Sequence, residues 1–210
     1  MQPAMVIVNK NSYSSLRYSN KKRIFSYAHQ VSCLIDEEVR EILEIGPGPG
    51  LVTEMLRLLN FKVTTMDVSP DVHADVQADI REIPFRKNSF DAVLCCQVLE
   101  HLPFSDFTKA LALIRKVARK SAVISLPDAT RHLDLFLNLP KIGRINKSLF
   151  FSPGKKDNSV QMKEAGHYWE IGYPGTELKK ITKSMDAAGW HIAKTWRVTE
   201  LPWHRFFLLR

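Results

Sequence analysis

Apolar residues recur along this chain in two alternating rhythms. Ile24, Phe25, Tyr27, Ala28, Val31 and Leu34 keep the spacing of a helix with one dry face. They predict a helical cap over residues 1–40, polar at its start. Glu41–Gly46 reads as a short apolar strand. Gly46-Pro47-Gly48-Pro49-Gly50 is a turn that no helix or strand interior tolerates. Leu51–Asn60 is helical in pattern, with Leu51, Met55, Leu58 and Leu59 on one side. Phe61–Asp67 alternates and is β-branched, so it predicts a second strand, and Asp75–Ile80 a short third one. Phe90–Val98 is apolar enough for a strand buried on both faces. Phe104–Arg119 returns to the helical period, and Ser121–Leu126 is a fifth strand closed by Pro127-Asp128. Gly175–Ala188 predicts a helix stopped by Gly189. Trp190–Val198 and Arg205–Leu209 then form an antiparallel hairpin around Leu201-Pro202.

Strands that alternate with helices need crossover connections, and crossovers give parallel pairing. The expected fold is therefore a single α/β Rossmann-like domain spanning 1–210. Its mostly parallel seven-stranded sheet has helices on both faces and a C-terminal antiparallel hairpin. Residues 129–174 break the rhythm with Pro140, Gly143, Pro153-Gly154, Gly166 and Pro174. They read as a substrate-shaping insert or lid. Within it, Leu133–Phe151 interleaves apolar residues with Lys141, Arg144 and Lys147. That pattern suits an interfacial helix near anionic lipid, or a lid whose dry side covers a pocket; the lid is the preferred reading. There is no internal repeat.

Composition narrows the class. The 210 residues are 45% hydrophobic and 25% charged, as in ordinary globular proteins. The longest apolar runs, such as Ala92–Val98, are far shorter than the ~20 residues that cross a bilayer. The first ten residues lack the basic start and apolar core of a secretory signal, so a cytoplasmic protein is expected. Cys33, Cys95 and Cys96 have no C-x-x-C spacing, and strand neighbours point to opposite faces. They read as buried thiols, and no metal site is expected. The net charge of +8 is uneven: residues 1–105 carry −2 and residues 106–210 carry +10. A basic half attracts RNA, anionic lipid or a phosphorylated substrate, or it is simply a solvated surface.

The candidate chemistry is concentrated in the first half. Glycines let the strand-to-helix turn at 46–50 approach a ligand closely. The helix behind it offers free N–H groups and a positive dipole end. Asp67, 21 residues after Gly46, stands at the predicted end of the second strand. A carboxylate there accepts both hydroxyls of a ribose. Asp79-Ile80 and the run Ser89-Phe90-Asp91 to Gln97-Val98-Leu99-Glu100-His101-Leu102-Pro103 complete four elements in order.

From about Ile42 to Asp128 the chain resembles the class I S-adenosylmethionine-dependent methyltransferases of the small type 11 family. The run Phe90-Asp91 to Val98-Leu99-Glu100-His101-Leu102 carries the resemblance furthest. It implies that Glu44, Gly46, Pro47, Gly48 and Gly50 form the loop against the methionine part of the cofactor. It implies that Asp67, followed by Val68, is the ribose acid, although the acidic run also offers Asp71 and Asp75. Asp79 and the Ile80 backbone match the adenine position, and Cys96 and Gln97 match the strand end beside the sulfonium. For Glu100-His101 the resemblance implies a structural role at the start of a helix.

Methyl transfer is an in-line displacement, and a hydroxyl acceptor often needs a general base such as a neutral histidine. His167 and His132 are the candidates outside the matching core, with His29 behind them. Tyr13 and Tyr18 precede the first helix and could close the pocket or pack on the sheet. The expected substrate is a small or medium-sized acceptor: a sugar, a lipid-linked molecule or a secondary metabolite. Two other readings stand beside it: an RNA methyltransferase using the basic half, and a cofactor-binding partner subunit without activity. Peripheral membrane contact fits the same basic half.

Overall fold

The computed structural model describes residues 20–139, 143–151, 162 and 165–210. Tyr13 and Tyr18 lie outside the described residues. Helix α1 (Lys21–Ile35) starts at Asn20, whose side chain accepts a hydrogen bond from the Arg23 amide at 3.1 Å. Strand β1 (Glu41–Ile45) runs into the glycine turn and helix α2 (Leu51–Leu58). Strands β2 (Lys62–Asp67), β3 (Val76–Gln77) and β4 (Phe90–Cys96) follow, then helix α3 (Phe104–Val117) and β5 (Ala118–Pro127). Strands β6 (Arg131–Leu139) and β7 (Gly143–Phe151) precede helix α4 (Leu178–Ala187), β8 (Ile192–Arg197) and β9 (His204–Leu209).

Seven strands pair in the order β3-β2-β1-β4-β5-β9-β8. The first five are mutually parallel, while β9 pairs antiparallel with both β5 and β8. This is the expected sheet, including its antiparallel edge. One face packs Phe107, Leu111 and Ile114 of α3 and Ile181 and Met185 of α4 against Leu43, Val93 and Ile124. The opposite face packs Tyr27, Val31 and Leu34 of α1 and Val52 and Leu56 of α2 against Ile42, Leu94, Val123 and Phe206. Both faces of β4 are therefore dry, which explains why its sequence is continuously apolar rather than alternating.

Three sequence-based expectations change. The third strand shrinks to two residues, because Asp79 caps a single 3-10 turn at Ile80–Glu82. The late helix starts at Leu178 rather than at Gly175, which has a positive φ and sits in the turn before it. The run Leu133–Phe151 is not an interfacial helix. It forms most of an antiparallel two-stranded sheet, β6 against β7, separate from the main one. Leu133, Leu135, Leu137 and Leu139 recur at every second position, the period of a strand, and Gly143 stands where β7 begins.

The stretch from Ala165 to Pro174 is fastened to the core despite its irregular sequence. Trp169 is buried edge-on against Phe104 and Phe107, and its indole N–H donates to the Leu102 carbonyl at 3.0 Å. Ile171 exchanges backbone bonds with the end of β5: its amide donates to Pro127, and the Ala129 amide donates to it, each at 2.9 Å. Asp128 completes the corner, buried between Arg205 at 2.5 Å and Arg197 at 2.6 Å. Burial pushes its carboxyl up, but the two guanidiniums and the Thr130 side chain outweigh that and hold it below the ordinary range.

Candidate functional site

The strand order reverses between β1 and β4, and a cleft opens beyond the C-terminal ends of the parallel strands. That is where open α/β sheets leave room for a ligand, because neighbouring crossovers leave in opposite directions there. The cleft, together with the open solvent at its mouth, takes up about 920 Å³. Glu44, Gly46, Pro47, Gly48, Asp67, Val68, Ile80, Cys96 and Gln97 line it together. Sequence positions spread over fifty residues thus meet around one space.

The turn after β1 is built for close approach. Gly46 has φ +74°, and a Cβ there would run into Val98 Cγ2. Its amide donates to the Met66 carbonyl at 2.9 Å, tying the turn to β2. Gly50 does not line the cleft. It is the N-cap of α2 at φ +78° and borders a second, more open cleft. Glu44 is buried and accepts a 2.6 Å bond from Thr53 Oγ1. Burial raises its carboxyl to about 7, against the Thr53 bond and the Arg57 charge.

Asp67 ends β2 and holds one oxygen on the Ser69 amide at 2.8 Å. Burial raises its pKa, opposed by the Ser69 and Val68 amides. The neighbouring acids are placed elsewhere. Asp75 is bound by the Thr65 amide and hydroxyl at 2.8 and 2.9 Å, and Asp71 borders the second cleft. Asp79 is occupied as well: it caps the 3-10 turn through the Arg81 amide and pairs with the Arg81 guanidinium at 2.6 Å. Its neighbours Ala78 and Ile80 face the cleft instead.

Gln97, just past β4, adopts φ +57°, an uncommon conformation for a residue with a side chain. Its amide donates to the Ser125 carbonyl at 3.0 Å and its side-chain N–H to Ser125 Oγ at 3.1 Å, so β5 holds it in place. Burial raises the Cys95 and Cys96 thiols and pushes Cys33 up to about 12, so all three are protonated and poor nucleophiles at neutral pH.

Several polar lining residues were not picked out from the sequence as site residues. Arg23, Tyr27 and Gln30 come from α1, and His204 from β9. A polar Gln30 on the buried side of an amphipathic helix was a readable signal; His204 had none. The register opposite Pro127 carries His204 to the cleft, where its Nδ1 lies 2.8 Å from Ser26 Oγ. Burial, with the Arg23 and His167 charges behind it, lowers its pKa to about 3.

The candidate bases separate in the same way. His29 accepts from the Trp196 indole at 3.3 Å and packs on Trp196 and Phe206, away from the cleft lining. His132 lies in β6. His167 does not line the cleft; His101 does, and the two rings meet edge to face at 5.1 Å. Glu100 and His101 belong to a 3-10 turn, Leu99–His101, between β4 and α3.

Comparison with known proteins fits this geometry. Residues 43–126 match the family model described as a methyltransferase domain. A ubiquinone biosynthesis O-methyltransferase of Xanthomonas oryzae pv. oryzae (strain PXO99A) is 32% identical over 104 residues, covering 42% of this chain and 41% of the relative. The match thus spans about two-fifths of the length of that curated relative. The N-methyltransferase NodS of Bradyrhizobium japonicum WM9, solved with S-adenosylhomocysteine, superposes with a TM-score of 0.63 at 13% identity, over 96% of this chain and 95% of that one. A SAM-dependent methyltransferase from Aquifex aeolicus superposes with a TM-score of 0.60 at 13% identity, covering 97% and 98%. At such identities the superpositions speak for the fold, and the stretch 43–126 speaks for the family. Over residues 43–126 the chain is similar to the methyltransferase domain family, and its sheet is that of the S-adenosylmethionine-dependent methyltransferases superposed on it.

Proposed function

We propose that this chain transfers a methyl group from S-adenosylmethionine to a small or medium-sized acceptor. The observation that carries this is the convergence of Gly46, Asp67, Ile80 and Gln97 on one cleft beyond the parallel strands. The residues present fit the cofactor. The close-approach turn at Gly46 leaves room for its methionine part, and Asp67 presents a carboxylate to the ribose hydroxyls. Ile80 forms the apolar wall of the adenine side; Asp79, committed to Arg81, backs it. When bound, the cofactor supplies an activated methyl on a sulfonium. The chain's own work is orientation: Gln97, fixed by Ser125, and the walls around it set the approach of the acceptor. Placing reactants in line near ~3–3.5 Å supplies several kcal/mol of barrier lowering. Two imidazoles, His101 and His204, line the cleft, and His167 stands behind His101.

The O-methyltransferase relative supports a small-molecule acceptor, such as a sugar, a lipid-linked molecule or a secondary metabolite. Titration calorimetry with S-adenosylmethionine and S-adenosylhomocysteine tests the cofactor. We expect saturable heat with both, abolished in Asp67→Ala. Labelled-methyl transfer into fractionated cell extract tests the acceptor. Label in small molecules supports the proposal; label only in RNA, lost at high salt, moves the function to nucleic acid.

A further inference from the structure

One carboxyl beside the cleft has no hydrogen-bond partner. Glu100 is fully buried, and neither of its carboxylate oxygens has a hydrogen-bond partner. Ionised without compensation, a buried carboxylate costs several kcal/mol, and a cation would relieve that cost here. Two imidazoles are already turned toward it. His101 Nδ1 lies 3.0 Å from the Gly166 carbonyl, which can only accept, so the ring donates there. His167 Nδ1 lies 2.9 Å from Glu170 Oε1 and donates to that carboxylate in the same way. With the Nδ1 proton of each ring engaged, Nε2 is left as a bare lone pair. One ligand atom from each of Glu100, His101 and His167 lies within 4.8 Å of the other two.

We propose that Glu100, His101 and His167 bind one divalent transition-metal ion of the zinc class. Two imidazoles and one carboxylate favour such an ion over magnesium or calcium, which prefer oxygen ligands throughout. Gly166 and Glu170 orient the rings from behind, as outer partners do at zinc sites. Three protein ligands leave a position open, and His101, which also lines the cleft, directs it there. The three ligands are assembled by tertiary structure: the Tyr168 amide bonds the Glu100 carbonyl at 2.9 Å and sets the 165–170 segment beside the 3-10 turn. The inference rests on this geometry and stands independently of the methyl-transfer reading.

The test is metal titration of the full chain, stripped with a chelator, in competition with a chromophoric zinc indicator. One equivalent of zinc is expected. Glu100→Gln and His167→Asn are each expected to weaken it by roughly tenfold or more. The heat of S-adenosylmethionine binding, measured on the same samples, reports that the variants are folded. Less than one equivalent in the wild type, or equal affinity in both variants, overturns the proposal. Zinc X-ray absorption on the wild type needs no variant: two imidazole nitrogens support the site, and a spectrum without imidazole overturns it. Zinc bound without cofactor heat removes only the methyl-transfer reading; cofactor heat without zinc removes only this one.

Discussion

The His101 and His167 rings meet edge to face with centroids 5.1 Å apart, although one follows β4 and the other lies beyond β7. The Glu170 carboxylate, 2.9 Å from His167 Nδ1, fixes the second ring in this pair. Glu170→Gln keeps the shape of that contact but removes the charge that makes His167 a better donor of electrons. It should weaken zinc by about 10- to 100-fold while S-adenosylmethionine binding stays unchanged. Paired metal and cofactor titrations check this. A change in cofactor affinity with no change for zinc would place Glu170 in the wrong role.

Gly46→Ala should damage the cofactor berth. The residue sits at φ +74°, and the new carbon meets Val98. Strain of this kind costs about 1–3 kcal/mol, and relief requires moving the turn. We expect a lower melting temperature and loss of cofactor heat. Gly50→Ala is the control: its φ of +78° is also strained, but no atom lies within 4 Å of the added carbon, so cofactor binding should survive better.

Asp67→Asn should weaken cofactor binding without unfolding the chain. A hydrogen bond to a charged group contributes about 1.5–3 kcal/mol, which predicts a loss of roughly one to two decades in affinity. Asp75→Asn, close in sequence but outside the cleft lining, should leave affinity intact, because its Oδ2 is held by the Thr65 amide and hydroxyl. Calorimetry on both variants checks the assignment.

Acid should loosen the corner at Asp128. Its folded carboxyl lies below the ordinary range, so its contribution to stability is fully present above the unfolded carboxylate value of about 3.9. That contribution is lost as pH falls through the folded value. Asp128→Asn leaves Arg197 and Arg205 facing a neutral group in a buried site and should cost about 3–5 kcal/mol near neutrality. The variant's stability should also fall less steeply than the wild type's between pH 5 and the acid limit. Denaturant unfolding across this range measures both.

Trp169→Ala should release the segment that carries His167. The indole is buried against Phe104 and Phe107 and bonded to Leu102, and removing such a side chain costs about 3–5 kcal/mol. Hydrogen exchange should rise in residues 165–174 more than in β4 or β5. Uniform exchange throughout the chain would mean that this segment does not open locally.

Local sequence determined most of the sheet and half of the cleft. Periodicity alone distinguishes the dry strand Phe90–Cys96 from the half-buried helices, and glycine has few substitutes at Gly46, so these features were legible without partners. Asp67 was legible for the same reason: its place at a strand end follows from the strand. Tertiary packing decided the rest. Whether Asp71, Asp75 or Asp79 faces the ligand depended on Thr65 and Arg81, which no spacing reveals. The run Leu133–Phe151 was ambiguous between helix and strand because short apolar runs with interleaved charges satisfy either period. Glu100-His101 was legible as a neighbouring pair and His167 as a candidate base, but no local pattern joins that pair to His167. Local rules act over a few residues; the convergence of distant side chains is set by which faces are dry and how the strands order themselves, and here the buried Trp169 and the Ile171 backbone bonds brought His167 to Glu100.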